Sequence, residues 1–276
     1  MQVLTDTDAL AAFCAAQREA DFITIDTEFV RDTTYWPKLC LIQIAGPEQP
    51  GIIDPLAPGI DLSPLLELLD DRKVLKVFHA ARQDLEIFYH LTDRLPAPVF
   101  DTQVAAMVCG FGDQVSYEKL AGALANARID KSARFTDWSR RPLGRRELDY
   151  ALSDVTHLRT VYAKLRARLK RNGRAEWLKE EMDRLTDPST YDLSPENAWQ
   201  RLKSRSRDGR YLAALRALAA WREEEAQRRD VPRNRVIRDE QIYDLASQLP
   251  RTPETLGRTR GLNPEIARGR IGRELL

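Results

Sequence analysis

A mixed α/β domain followed by a smaller all-helical domain is the architecture this sequence predicts. Three observations carry it. Short β-branched runs of alternating polarity crowd the stretch up to Asp54. Strand-like and helix-like segments then alternate as far as Asn172. From Asp192 onward only helix signals occur.

Taken in order, Asp21–Phe29, Leu39–Gly46 and Gly51–Asp54 read as strands parted by turn-rich segments such as Gly46-Pro-Glu-Gln-Pro-Gly51, which predicts an antiparallel meander. Ser63-Pro64 places a capping side chain before a proline and opens a helix over Leu65–Asp71. A strand over Lys73–His79, a helix over Ala81–His90, a short strand at Val99–Thr102 and helices over Gln103–Cys109 and Ser116–Leu124 follow. Arg128–Arg141 is a polar loop. One long helix runs from Gly144 to about Asn172, with Lys164–Arg171 as its solvated face. Strands alternating with helices after a meander imply a mixed central sheet flanked by helices.

In the second part, Ser194-Pro195, Thr252-Pro253 and Asn263-Pro264 repeat the capping device, and Asp239 is placed to cap Glu240–Leu249. Tyr211–Arg229 carries an apolar stripe at Leu212, Leu215, Leu218, Ala219 and Trp221. A bundle of about five short helices results. Thr186–Asp192 lacks apolar periodicity and reads as the linker, giving domains at 1–186 and 192–276 with residues 187–191 between them.

The 276 residues, 43% hydrophobic and 31% charged, have room for one large core and one smaller core. Cys14, Cys40 and Cys109 are odd in number and fit no metal spacing, so they predict buried thiols rather than a disulfide framework or zinc site. The N-terminus has no basic leader and no apolar run reaches membrane-spanning length, so a cytoplasmic protein is expected. The net charge of +1 conceals a division. Residues 1–191 hold 25 Lys and Arg against 29 Asp and Glu, net −4, whereas residues 192–276 hold 18 against 13, net +5. A basic second part suits phosphates, although a solvated Arg-rich surface is the plainer reading.

The chemistry lies in the acidic part. Asp26 and Glu28 are two apart on a strand, so both carboxylates leave one face of the sheet, where like charges are costly unless a cation lies between them. Asp84 stands near the start of its helix at the edge of the Leu85 and Phe88 stripe. Tyr150 and Asp154, four apart, share one helical face. Four carboxylates without His or Cys are hard oxygen ligands that suit Mg²⁺ or Mn²⁺. Two such ions about 3.5–4 Å apart are the common arrangement for in-line phosphodiester hydrolysis.

Asp26-Thr-Glu28, His79-Ala-Ala-Arg-Gln-Asp-Leu85 and Tyr150-Ala-Leu-Ser-Asp-Val155 resemble, in order and spacing, the three exonuclease motifs of the DEDD superfamily in its tyrosine variant. Tyr35–Ile44, Phe100-Asp-Thr-Gln103 and Asp137-Trp-Ser-Arg-Arg-Pro-Leu143 resemble segments of the ribonuclease D family, and Arg235–Ala246 with Leu249-Pro250 is similar to the HRDC domain. The resemblance implies a ribonuclease H-like exonuclease domain followed by an HRDC bundle. It also implies a 3′→5′ exoribonuclease that uses two divalent cations, Mg²⁺ or Mn²⁺, to release nucleoside 5′-monophosphates from RNA with a free 3′ end, tRNA precursors in particular. In these roles Asp26 bridges both ions, Glu28 and Asp154 bind the ion that activates water, Asp84 supports the second ion, and Tyr150 orients the attacking water. Family members often carry a second HRDC-like domain, whereas this chain ends at Leu276 after one, which bears on substrate affinity more than on chemistry.

Thr27 in the first motif, with Trp138, Arg140 and Arg141 in the polar loop, are the expected substrate contacts, an aromatic for a base and arginines for phosphates; an anchored loop fits the last three equally. His79 and His157 receive no catalytic role, and Asp101 is either a turn cap or a support behind the site. A DNA-trimming exonuclease of the same superfamily and a catalytically silent nucleic-acid-binding scaffold remain as alternatives. Five retained site residues speak against the scaffold.

Overall fold

Strand β2 (Phe22–Val30) organises the first part of the chain, because its alternation sends Ile23 and Ile25 to one face of a sheet and Thr24, Asp26 and Glu28 to the other. The structure, a computed structural model, describes residues 2–130, 133, 136–204, 206–262 and 264–276. Strands β1 (Gln2–Leu4), β3 (Lys38–Ala45), β4 (Gly51–Ile53), β5 (Leu75–Phe78) and β6 (Val99–Asp101) complete a six-stranded sheet of order β1-β4-β3-β2-β5-β6. β2, β3 and β4 form the expected antiparallel meander, while β1 pairs with β4, and β5 with both β2 and β6, in parallel.

Helices cover both faces. On the face of Ile23 and Ile25, α1 (Thr7–Gln17), α2 (Ser63–Asp70) and α3 (Arg82–Thr92) bury Leu10, Phe13, Leu65, Leu68, Leu85 and Phe88. On the other, α4 (Thr102–Val108), α5 (Tyr117–Ala125) and α6 (Arg145–Asn172) bury Ala105, Leu120, Leu158, Val161 and Leu165 around Val77. The three cysteines are free and buried, as expected.

The chain divides into two compact units, one of residues 1–30 and 38–191, the other of residues 31–37 and 192–276. The connection between β2 and β3 thus groups with the second unit, where Tyr35 packs with Ala226 and Val236. Within the expected linker, Pro188–Tyr191 form a 3₁₀ turn, and the buried Tyr191 joins the first unit's core. A short helix, α7 (Lys179–Leu185), precedes it. In the second unit, α8 (Gly209–Arg229) packs Tyr211, Leu215 and Ala219 against α10 (Asp239–Gln248), reached through α9 (Arg233–Val236), with α11 (Pro253–Leu256), α12 (Pro264–Arg268) and α13 (Arg270–Leu275) following.

The apolar stripe expected on α8 gives way in its second half to buried charge. Arg222 and Glu223 are both buried, Glu223 bonded by Arg201, Arg233 and the Tyr35 hydroxyl and Arg222 by Asp239. Buried charges persist only when paired in this way.

Several capping expectations are corrected. Ser63 lies inside α2, capped by the Leu62 position, and its hydroxyl donates to Asp61. Ser194 precedes a 3₁₀ segment without capping it through its side chain, and Asp239 is the first residue of α10, its carboxylate taken by Arg222. Thr252 does cap α11, accepting from the Thr255 amide. Asn263 and part of the Arg128–Arg141 loop lie outside the described residues. β1 and α1 were not predicted. A three-residue strand is too short to show alternation, and the alanines of α1 blur its apolar stripe.

Candidate active site

Asp26 and Glu28 stand on the exit half of β2, which runs on for six residues past Thr24, the last residue in register with β5. The two carboxylates are therefore level with the turn that carries the chain from β5 into α3. In that turn Ala80 adopts a left-handed conformation (φ 58°), and buried Asp101 accepts from the Ala80, Ala81 and Gln103 amides. Asp101 is thus the turn cap. A non-glycine residue persists in that backbone region only when its surroundings enforce it. The consequence is a fixed start for α3, with Asp84 buried in its first turn. Thr27, on the opposite face of β2 from its acidic neighbours, donates through its hydroxyl to Asp84 Oδ1 at 2.5 Å.

The fourth acid comes from the other helical layer. The Thr24 hydroxyl, two residues before Asp26 on the same strand face, bonds to the Val155 carbonyl of α6 at 2.8 Å, and Arg159 reaches the Ala45 carbonyl at 2.9 Å. These bonds fix the rotation and height of α6 on the sheet. Asp154 is thereby brought to the two strand acids, with a carboxylate oxygen from each of Asp26, Glu28 and Asp154 within 4.8 Å of the others. Tyr150, one turn earlier, hydrogen-bonds to Asp154. Its ring stacks on Trp138 with centroids 6.2 Å apart and planes 27° apart. The Tyr117 hydroxyl donates to the carbonyl of Ser153, next to Asp154. No periodicity marks Tyr117, whereas Thr24 was within reach of sequence reasoning as the next residue on the acid-bearing strand face.

Electrostatics make this cluster costly to ionise. Burial, reinforced by the neighbouring carboxylates, holds Asp26 and Asp84 well above the ordinary carboxylate range. It pushes Glu28 up to about 9, with Asp26, Asp154 and Asp84 all contributing, and burial raises Asp154 to about 7. Burial and the nearby carboxylates also raise the Tyr150 phenol, so it stays protonated and able to donate. A set of close, poorly solvated carboxylates with oxygen donors only is the donor chemistry of a hard divalent cation. The residues present fit such an ion.

A pH dependence follows, with the sign set by raised pKa values. Glu28 ionises near 4.5 in the unfolded chain but near 9 in the folded one, so between those values the folded chain binds more protons. Its contribution to stability is complete below about 4.5 and lost as the pH rises through about 9. In EDTA, wild-type protein is expected to lose melting temperature relative to Glu28→Gln across this window, and saturating Mg²⁺ to reduce the loss. Parallel melting curves for the two proteins at every pH would contradict the shared acidic site.

The expected substrate contacts are revised where the side chains are already committed. Trp138 is only 4% exposed, packed among Cys40, Leu41, Ile52 and Ala151, so it supports Tyr150 and has no face free for a base. Arg141 is also withdrawn, because its guanidinium grips Asp54 through two bonds of 2.6 and 2.7 Å and caps the Cys40 and Trp138 carbonyls. Thr27 is buried, and its hydroxyl is spent on Asp84. Arg140 remains exposed, bonded to Glu147 at 3.2 Å. His79 bonds Thr102 and lies against Tyr117, and burial lowers its pKa, which suits a structural role.

Residues 1–170 match the family model described as 3′–5′ exonuclease, and residues 212–276 match that of the HRDC domain. The chain is 50% identical over 275 residues to ribonuclease D of Sphingobium indicum, spanning 99% of this chain and 71% of that protein. Among solved structures, Escherichia coli RNase D, described as an exoribonuclease involved in structured RNA processing, superposes with a TM-score of 0.87 at 36% identity, covering 100% of this chain and 73% of that one. Brucella melitensis NrnC with bound Mg²⁺ superposes with a TM-score of 0.59 at 27% identity, covering 75% of this chain and 96% of its own. Among the described residues, no helix is long and apolar enough to cross a membrane.

Proposed function

Because this chain belongs to the ribonuclease D family, a ribonuclease H-like 3′–5′ exonuclease domain followed by an HRDC domain, we propose that Asp26, Glu28, Asp84, Tyr150 and Asp154 are its catalytic residues. The activity is 3′→5′ exoribonuclease, and the clustered acids suit a divalent metal, as held by the similar NrnC with bound Mg²⁺. The finer reading is a site for two ions, Mg²⁺ or Mn²⁺. The observation that carries it is the close approach of the Asp26, Glu28 and Asp154 carboxylates, with Asp84 held beside them by Thr27.

When bound, such ions activate water and stabilise the leaving 3′ oxygen of an in-line displacement. The chain's own residues do the positioning. Asp26, near the start of the exit half of β2, would hold both ions, Glu28 and Asp154 the one that activates water, and Asp84 the other. Asp154 accepts the hydrogen bond of Tyr150, which leaves the phenol oxygen at the edge of the acid cluster to orient a water. Trp138, stacked behind that ring, restricts its swing. Arg140, exposed at the end of the loop, suits a phosphate of the incoming strand. Precursors of tRNA, as structured RNAs with unpaired 3′ ends, are the proposed substrates, met in the cytoplasm.

End-labelled RNA and DNA of one sequence, incubated with the protein and Mg²⁺ or Mn²⁺, test this reading. Stepwise shortening of RNA from its 3′ end with release of nucleoside 5′-monophosphates is expected, and EDTA should stop it. Internal cleavage, or metal-independent shortening, would overturn the proposed site.

A further inference from the structure

The longest helix of the chain carries an imbalance of charge that the acid cluster does not explain. From Val155 to Ala175 there are seven Lys and Arg and no Asp or Glu. Among the described residues, no ion pair engages Lys164, Arg166, Lys170 or Arg171, and all four are exposed on the solvent side of α6. Favourable interaction with the helix dipole accounts for basic residues in the last turn, Lys170 and Arg171, but not for those one or two turns earlier.

A large exposed aromatic follows this basic stretch in the chain. Trp177 is 63% exposed in the 3₁₀ turn Ala175–Leu178 just past the helix end. The Arg174 guanidinium lies 4.9 Å from the centroid of its ring and bonds the Val108 carbonyl at 3.3 Å, which fixes the turn against the end of α4. A tryptophan that is both exposed and held by a neighbouring arginine is pre-ordered to receive another flat ring.

We propose that the solvent face of the C-terminal half of α6, with Trp177, is a second RNA-contact surface that takes phosphates on Lys164, Arg166, Lys170 and Arg171 and an unpaired base on Trp177. The inference rests on RNA being the substrate and assigns where the strand upstream of the 3′ end is held. Charge and chemistry select the occupant. Cations that form no ion pair among the described residues, Lys164 and Arg171 on one flank of the outward side of α6 and Arg166 and Lys170 on the other, next to an exposed aromatic, match the phosphates and bases of a single strand, as in proteins that combine a basic track with stacking platforms. At 1.5 Å per residue, Lys164 lies about 15 Å and Lys170 about 24 Å along the helix axis from Asp154, beyond the terminal nucleotide. Long RNA reaches this surface, and a trinucleotide does not.

The test compares wild type, the fourfold variant Lys164→Gln/Arg166→Gln/Lys170→Gln/Arg171→Gln, and Trp177→Ala, all in the full chain. Binding of an unstructured RNA of about 20 nucleotides is measured in EDTA over a range of salt, and turnover of a trinucleotide in Mg²⁺. The fourfold variant should flatten the log–log salt slope by about 2–3, given about 0.7 per phosphate contact on a single strand. Trp177→Ala should weaken binding about 5- to 150-fold at unchanged slope, the range for one stacked base, and Trp177→Phe should restore most of it. Trinucleotide turnover should stay at the wild-type level in all variants. Unchanged affinity and slope overturn the inference and leave the surface to solvent or a protein partner. A parallel fall in trinucleotide turnover overturns it as well, by placing the contact at the active site. Wild-type protein that binds no RNA overturns the exoribonuclease reading itself, and this surface with it.

Discussion

Asp26→Asn is expected to abolish exonuclease activity while leaving the protein folded. The substitution keeps the size of the side chain but removes the anionic ligand proposed to touch both ions. Several kcal/mol of transition-state charge stabilisation are at stake in such a site, and about 4 kcal/mol corresponds to about a 10³-fold loss of rate. Burial and the Asp154 carboxylate already hold Asp26 well above the ordinary carboxylate range, so a neutral amide relieves repulsion, and the metal-free variant should melt no lower than wild type. Single-turnover hydrolysis of end-labelled RNA, with circular dichroism as the folding control, measures both effects. A folded variant that trims RNA at close to the wild-type rate would sink the assignment.

Tyr150→Phe is the second large effect expected. The phenylalanine retains the ring stacked on Trp138 and loses only the hydroxyl bonded to Asp154. A group that orients the attacking water contributes about 10²–10⁴-fold, so kcat should fall by that factor. Metal affinity should barely move, because the phenol is held protonated beside Asp154 and is no ligand. Pure packing predicts almost no loss, since the ring is preserved. Single-turnover rates paired with Mn²⁺ titrations separate the possibilities. A wild-type rate makes Tyr150 a core residue, and lost Mn²⁺ binding makes it a ligand.

Much of the site was legible because its chemistry is written in local spacing. The two-residue period of a strand places Asp26 and Glu28 on one face, and the four-residue step of a helix places Tyr150 and Asp154 on another, whatever surrounds them. The helix α3 declared itself through the Leu85 and Phe88 stripe, and Thr252 through its capping chemistry. Ser63, Ser194 and Asp239 show the limit of that reasoning. A short polar side chain before or within a helix start has several partners to choose from, and Asp61 and Arg222 captured two of the three.

By itself, then, the sequence determined which residue types face together on each element, and hence that a cluster of hard oxygen ligands was available. Only the tertiary structure decided how those elements meet. Thr24 bonded to the Val155 carbonyl sets the depth of α6, Asp101 holds the turn that starts α3, and Thr27 clasps Asp84 from across the chain. The same packing withdrew Trp138 and Arg141 from the substrate, one buried behind Tyr150 and the other spent on Asp54. Periodicity is a property of a few neighbouring residues. Burial and hydrogen-bond partnership are settled between residues as far apart as Thr24 and Val155, where no local rule reaches.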